Sequence, residues 1–291
     1  MKLFNGITYA HEHMTIDLSG VKKDQDCKLD VINETIRELK GLKAKGVENI
    51  IDVTNRGMGR NIDFITRISN ETNINIVSST GFYKEPFFPA EVYELDERKL
   101  AELITSEIEH GIDDTNVRAQ VIGEIGTGKD TILPTERKVF RASSMAHRET
   151  GRPIVTHTTL GRLGLEQIGI FKQFGADLDK VVIGHVDLSG DIEYILRLID
   201  SGVNVAFDTI GKIKYQPEQV RIELLKELCK RGLSEKIVMS LDITRKSHLK
   251  YKGGIGYSYL LDSFIPELEK NGIGKKDIDN MIKNNAARIF S

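Results

Sequence analysis

Short apolar runs rich in β-branched residues recur along this chain. Each is bounded by turn residues and followed by a longer stretch whose apolar positions return every three or four residues, the pattern of a strand and then a helix. GITYAHEH, ENIIDVTN, INIVSSTG, AQVIGEIG, RPIVTHTT, KVVIGHVD, NVAFDTIG and KIVMSLDI are the predicted strands. VINETIRELKGLKAKG, RNIDFITRISNET, ERKLAELITSEIEHG, TERKVFRASSMAHRETG, DIEYILRLIDSG and PEQVRIELLKELCKRG carry the helical period between them. Many helical stretches close on glycine, among them Gly46, Gly111, Gly151, Gly175, Gly202, Gly232 and Gly272, as the left-handed position after a helix favours.

The strand runs are almost continuously apolar, as parallel strands covered on both faces are, and eight βα units fill the length. An open doubly wound sheet uses the same units. Eight repeats in this many residues match a closed (β/α)8 TIM barrel better, since such α/β barrels typically run to ~250 residues. No linker or shift in composition divides the chain, so residues 1–291 are expected to form one barrel domain.

Composition then removes several classes of function. With 41 basic and 43 acidic residues the formal net charge is -2, which gives no general attraction to nucleic acid or an anionic membrane. A small-molecule partner is expected instead. The two cysteines, Cys27 and Cys229, are too few for a disulfide framework or a thiolate zinc cluster, and a reducing compartment suits them. The first residues lack the apolar run of a signal peptide, and no stretch approaches the ~18 to 20 apolar residues of a membrane span. A cytoplasmic protein is therefore expected. Barrels of this kind often dimerise, so a homo-oligomer is compatible with the sequence, although no apolar stripe specifies an interface.

In such a barrel catalytic groups sit at the C-terminal ends of the strands. There the chain places His11, Glu12 and His13 on the first strand, Glu124 on the fourth, His157 on the fifth, His185 on the sixth and Asp242 on the eighth. The two-residue period of a strand sends His11 and His13 to one side and Glu12 to the other. Imidazole and carboxylate donors suit zinc, manganese or iron, and a carboxylate can bridge two ions where a lone imidazole cannot. Any one of these residues alone could be an ordinary hydrogen-bonded strand end. Jointly, four of the seven histidines, a glutamate and an aspartate fall where ligands belong, and six ligands can hold two ions. Of the other histidines, His110 precedes Gly111 at a helix end, where a cation is favourable; His147 falls in a helical stretch and is expected to face solvent; His248 follows the eighth strand without an assigned part.

One segment supports a rival. VIGEIGTGKD, read from Gly123, spells G-x-x-x-x-G-K-D, close to a phosphate-cradling loop, so a nucleotide-binding protein using Gly123–Lys129 is an alternative. The local chemistry argues against it. Asp130 stands where a hydroxyl is needed for Mg²⁺, and Pro134 moves the next helix start several residues away from the supposed anion site.

YAHEHMTIDLSG, STGFYKEPFFP, VTHT, IGHVD and MSLDITRKSH resemble the motifs of the phosphotriesterase-like branch of the amidohydrolase superfamily, and the resemblance runs from Thr8 to Phe290. Many members bridge their metals with a carboxylated lysine at the end of strand four. Here that position is Glu124, so the chain most resembles the subgroup of phosphotriesterase homology proteins, in which a glutamate stands there.

The resemblance implies a binuclear metal-dependent hydrolase with two divalent ions, zinc first, with manganese or iron as substitutes. His11, His13, Glu124 and Asp242 are implied as ligands of one ion, and Glu124, His157 and His185 of the other. A metal-bridging hydroxide would attack an ester, lactone, phosphoester or amide bond, with Asp242 as the catalytic proton carrier. Asp187 and Asp208 are candidate acceptors behind the ligand histidines. Tyr83 and Arg245 are candidate substrate contacts, the first to an oxyanion and the second to an anionic group. A non-catalytic metal-binding protein on the same barrel is the alternative.

Overall fold

The fold is that of a computed structural model in which residues 3–291 are described. Eight strands pair in parallel and in chain order: β1 (Ile7–Glu12), β2 (Val47–Asp52), β3 (Asn75–Thr80), β4 (Val121–Thr127), β5 (Ile154–Thr158), β6 (Val181–Ile183), β7 (Asn204–Phe207) and β8 (Ile237–Met239). Between them run α1 (Ile32–Ala44), α2 (Ile62–Thr72), α3 (Glu97–Glu109), α4 (Pro134–Thr150), α5 (Gly164–Gln173), α6 (Ile192–Asp200) and α7 (Glu218–Lys230). Helical segments over 260–270 and 275–290 follow β8. This is the TIM barrel that the eight-unit pattern predicts. No helix among the described residues is long and apolar enough to cross a membrane.

Between β8 and β1 a buried carboxylate joins the two strands. Glu12 Oε1 accepts from Ser240 Oγ at 2.7 Å and from Leu241 N at 2.8 Å, and Oε2 accepts from Ile243 N at 2.9 Å. Inside the barrel, Ala10, Ile51, Val77, Val121, Val155, Val182, Ala206 and Val238 pack with Leu3, Ile289 and Phe290, which fill the N-terminal end. A larger apolar layer lies between the strands and the helices.

The helix boundaries follow local chemistry. α4 begins at Pro134, whose missing N–H is not needed in a first turn, and Glu136 accepts from Leu133 N at 2.9 Å and Gly128 N at 3.0 Å. It ends at Gly151 with φ 67°, the left-handed exit expected there. α5 falls outside the six helical stretches quoted above, because Gly164 and Gly169 interrupt its apolar period. A two-residue ribbon, Ile16–Asp17 with Lys28–Leu29, is also absent from the sequence pattern.

One rival reading falls and one expectation is corrected. The segment read as a nucleotide loop is mostly strand: Val121–Thr127 is β4, Lys129 and Asp130 are exposed, and the helix waits until Pro134. No backbone cradle leads into a helix N-terminus there. His147 does not face solvent but is 3 % exposed, because it lies on the buried face of α4. Its Nδ1 is 2.6 Å from Arg152 O, and its Nε2 accepts from Asp177 N at 3.0 Å.

Candidate metal centre

His11, His13, Glu124 and Asp242 bring one donor atom each to within 4.8 Å of one another, and so do Glu124, His157 and His185. All six predicted ligands therefore meet, with Glu124 in both groups. Two strand irregularities aim them. The pairing of β1 with β2 slips between Tyr9 and Glu12, and that of β4 with β5 slips between Ile122 and Ile125. Each inserts one extra residue, as a bulge does when it re-aims a side chain. In β1 the slip lets Ala10 join the interior cluster while His11 and His13 both reach the mouth. In β4 it turns Glu124 to the centre in mid-strand. Only glycine suits position 123: φ is +142°, and a Cβ would lie 2.2 Å from Val155 O. Gly126 belongs to the strand rather than to a turn, and a Cβ there would lie 3.0 Å from His157 Cβ.

His185 and Asp242 lie just past the ends of β6 and β8 in left-handed backbone, with φ 59° and 53°. Such conformations cost roughly 1 kcal/mol or more and persist only where neighbours hold them. Asp208 Oδ1 accepts from His185 N at 2.8 Å, and Glu12 accepts from both amides that flank Asp242.

The outer nitrogens of three imidazoles are hydrogen-bonded, and that of His11 lies against a carboxylate without hydrogen-bond geometry. Thr54 Oγ1 donates its one hydrogen to Thr15 O at 2.9 Å, so its 2.8 Å contact with His13 Nδ1 makes that nitrogen the donor. Thr159 Oγ1 likewise donates to Thr127 O at 2.7 Å and must accept from His157 Nε2 at 3.2 Å. Asp208 lies 2.8 Å from His185 Nδ1 through Oδ1 and 2.9 Å from His11 Nδ1 through Oδ2. The opposite nitrogens face inward, where each can carry a proton or offer a lone pair to a metal ion.

Inward, His11 Nε2 is 3.5 Å from Glu124 Oε2 and 3.8 Å from Asp242 Oδ1; His13 Nε2 is 3.4 Å from Glu124 Oε1 and 3.2 Å from Asp242 Oδ1. His157 Nδ1 is 3.2 Å from Glu124 Oε2 and 2.8 Å from His185 Nε2. Acceptor atoms packed this way repel unless a positive charge, a proton or a metal ion, lies among them. Donors about 2.1 Å from a tetrahedral metal are ~3.4 Å apart, close to most of these separations. His11 Nε2 and His13 Nε2 are buried with no hydrogen-bond partner. The donor set thus fits metal ions.

Electrostatics agrees. Burial would push Glu124 upward, but His13, His157 and His185 hold it well below the usual carboxylate range. Against the same burial, Lys212 and His13 hold Asp242 well below. Burial lowers His13, yet Asp242 and Glu124 outweigh it and raise it to about 10, whereas burial and neighbouring His185 bring His157 down to about 4. The carboxylates are ionised and call for cations.

The remaining candidates divide. Asp208 faces two ligand histidines, but Asp187 touches none: its Oδ2 accepts from Arg221 Nε at 2.7 Å and from the Thr209 hydroxyl. The expectation that Asp187 stands behind a ligand is corrected, since the fully buried Arg221 claims it. Tyr83 Oη is 3.2 Å from His157 Nδ1 and lines a pocket of about 250 Å³ over the centre. Arg245 lines the same pocket, with its guanidinium 2.7 Å from Asp24. The sequence reading missed Thr54, Thr159, the anchoring part of Glu12, and Lys212, which pairs with Asp242 Oδ2. Thr54 and Thr159 fall in the last two positions of predicted strands, which is the only signal they gave.

Comparison with known proteins follows the same lines. The profile of the Phosphotriesterase family matches residues 3–290. The chain is 47 % identical over 285 residues to the phosphotriesterase homology protein of Escherichia coli, covering 98 % of each. A crystal structure of that protein, complexed with phosphate in its active site, superposes with a TM-score of 0.97 at 46 % identity, covering 99 % of each chain. An N-acetyltaurine hydrolase of Dictyostelium discoideum is 35 % identical over 93 % of this chain and 76 % of its own. A lactonase of Listeria monocytogenes superposes with a TM-score of 0.93 at 32 % identity, over 98 % of this chain and 94 % of that one. With its barrel and its facing His and carboxylate groups, the chain belongs to the phosphotriesterase family.

Proposed function

We propose that the chain is a metal-dependent hydrolase, one barrel domain over residues 1–291, that takes two divalent ions, zinc or else manganese or iron. His11, His13, Glu124 and Asp242 would hold one ion, and Glu124, His157 and His185 the other. The observation that carries this reading is the convergence of four imidazoles, each with its outer nitrogen set against a hydroxyl or a carboxylate, on two carboxylates that favour a cation between them. When bound, such a pair of ions acidifies a water and polarises a carbonyl or phosphoryl oxygen.

The chain's own groups supply the rest. Asp242 turns Oδ1 to His11 and His13 and Oδ2 to Lys212. Oδ2 is then the atom that would take up a proton and return it to the leaving group, and Lys212 keeps it ionised beforehand. The Tyr83 hydroxyl would donate to an oxygen that gains negative charge. Arg245, at the pocket rim, would contact the outer part of a substrate. Ester, lactone, phosphoester and amide bonds all build charge on such an oxygen, and relatives named as a lactonase and as an N-acetyltaurine hydrolase support this range. The loops around the mouth then choose among them.

Metal analysis tests the reading together with a panel of esters, lactones, organophosphates and N-acyl amides. The metal-replete protein should carry about two ions per chain and turn over at least one member, and Glu124→Gln should retain about one ion. A well-folded protein that takes up no metal under replete conditions would sink the proposal.

A further inference from the structure

Four long cationic side chains line the pocket over the centre: Lys22, Lys84, Lys212 and Arg245. Two are already answered by carboxylates, Lys212 by Asp242 and Arg245 by Asp24 and Asp26. Lys84 is different. It follows Tyr83 on the loop after β3 and is partly buried, and among the described residues no carboxylate pairs with it. Its Nζ donates to Glu85 O at 3.2 Å and stands 5.6 Å and 5.5 Å from the ring centroids of Tyr83 and Phe87. Those rings steady the ammonium without neutralising it. Lys22, on the short helical turn Ser19–Lys22 after β1, lines the same pocket and likewise pairs with no carboxylate among the described residues.

A partly buried ammonium without an ion-pair partner is costly, and burial accordingly pulls Lys84 below the usual lysine range, against the more distant Glu136 and Glu124 and with Lys22 adding to the effect. Two carboxylates chiefly draw on Lys84 without pairing with it: Glu136, the stronger, is held by the amides of Gly128 and Leu133, and Glu124 is the shared ligand of the proposed metal pair. With ions bound, its charge is spoken for. An anion in direct contact with Lys84 would then come from outside the chain.

We propose that Lys84, assisted by Lys22, recognises an oxyanion group on the substrate, a carboxylate, sulfonate or phosphate carried beside the scissile bond. The inference deepens the hydrolase reading and rests on it for the reaction, while the anion site itself is a matter of binding. It makes Lys84 a specificity-determining residue, distinct from Tyr83, which faces the reacting oxygen.

The test titrates acetate, methanesulfonate and methyl phosphate calorimetrically into the metal-loaded wild type, Lys84→Met and Lys84→Arg. At least one anion should bind the wild type and bind Lys84→Met about tenfold more weakly, the size of one charge-assisted hydrogen bond, while Lys84→Arg stays within about threefold. Metal content should be equal in all three. Matched lactones or esters carrying each anion or a neutral group give a second readout: the anionic-to-neutral ratio of kcat/KM should fall by about tenfold in Lys84→Met. Equal affinity in wild type and Lys84→Met, or no binding of any of the three anions to the wild type, would overturn the proposal. Lys84-dependent anion binding without turnover of any substrate would instead uphold the anion site and sink the hydrolase reading.

Discussion

Each strand of this barrel passes from one chemistry to another within a few residues. Val155 packs in the apolar interior, and two residues later His157 faces Glu124; Val182 leads to His185, and Val238 to Asp242. The N-terminal half of the interior holds valines and alanines sealed by Leu3, Ile289 and Phe290. The C-terminal half holds buried carboxylates, imidazole nitrogens without hydrogen-bond partners, and two non-glycine residues in left-handed backbone. Burial of apolar area stabilises the first half, whereas in the second the desolvated polar groups and the left-handed backbone cost stability that the ion pairs of Glu124, Asp208 and Asp242 offset. The comparison teaches that fold and site are separable here, although the same strands carry both.

The sharpest way to break that separation is Asp242→Asn. Turnover should fall on the order of a thousandfold with the melting temperature held within a few degrees, as removal of a proton carrier requires. A large fall in melting temperature would show that the mouth also supports the fold. Next in size is Phe290→Ala at the opposite end, expected to cost about 3 to 4 kcal/mol in denaturant unfolding while leaving metal stoichiometry intact. Loss of metal in that variant would mean that the sealed end shapes the mouth. The smallest effect expected is that of Asp208→Asn, which weakens the hold on His11 and His185 together. Chelator competition should register a drop of about 10- to 100-fold in metal affinity with little change in stability. An unchanged affinity would reduce Asp208 to a packing residue.

The eight strands were legible because parallel strands buried on both faces need long apolar runs, and such runs stand out against helical periodicity. The candidate ligands were legible because histidine and acid rarely gather at strand ends without a task. Other features were hidden. Asp187 and Asp208 looked equivalent, two acids near the ends of neighbouring strands, until Arg221 was seen to occupy one of them from α7. His147 looked solvated because its partners, Arg152 O and Asp177 N, are backbone atoms that no side-chain pattern announces.

The order of the units, the types of the candidate ligands and the glycine before Glu124 are written in the chain, since period, donor chemistry and steric size are properties of residues read one after another. The two bulges, the left-handed turns at His185 and Asp242, and the tautomers set by Thr54, Thr159 and Asp208 were decided by tertiary contact. A strand slips by one residue, or an imidazole gives up one proton position rather than the other, only when a particular neighbour from a distant segment is there to accept the bond.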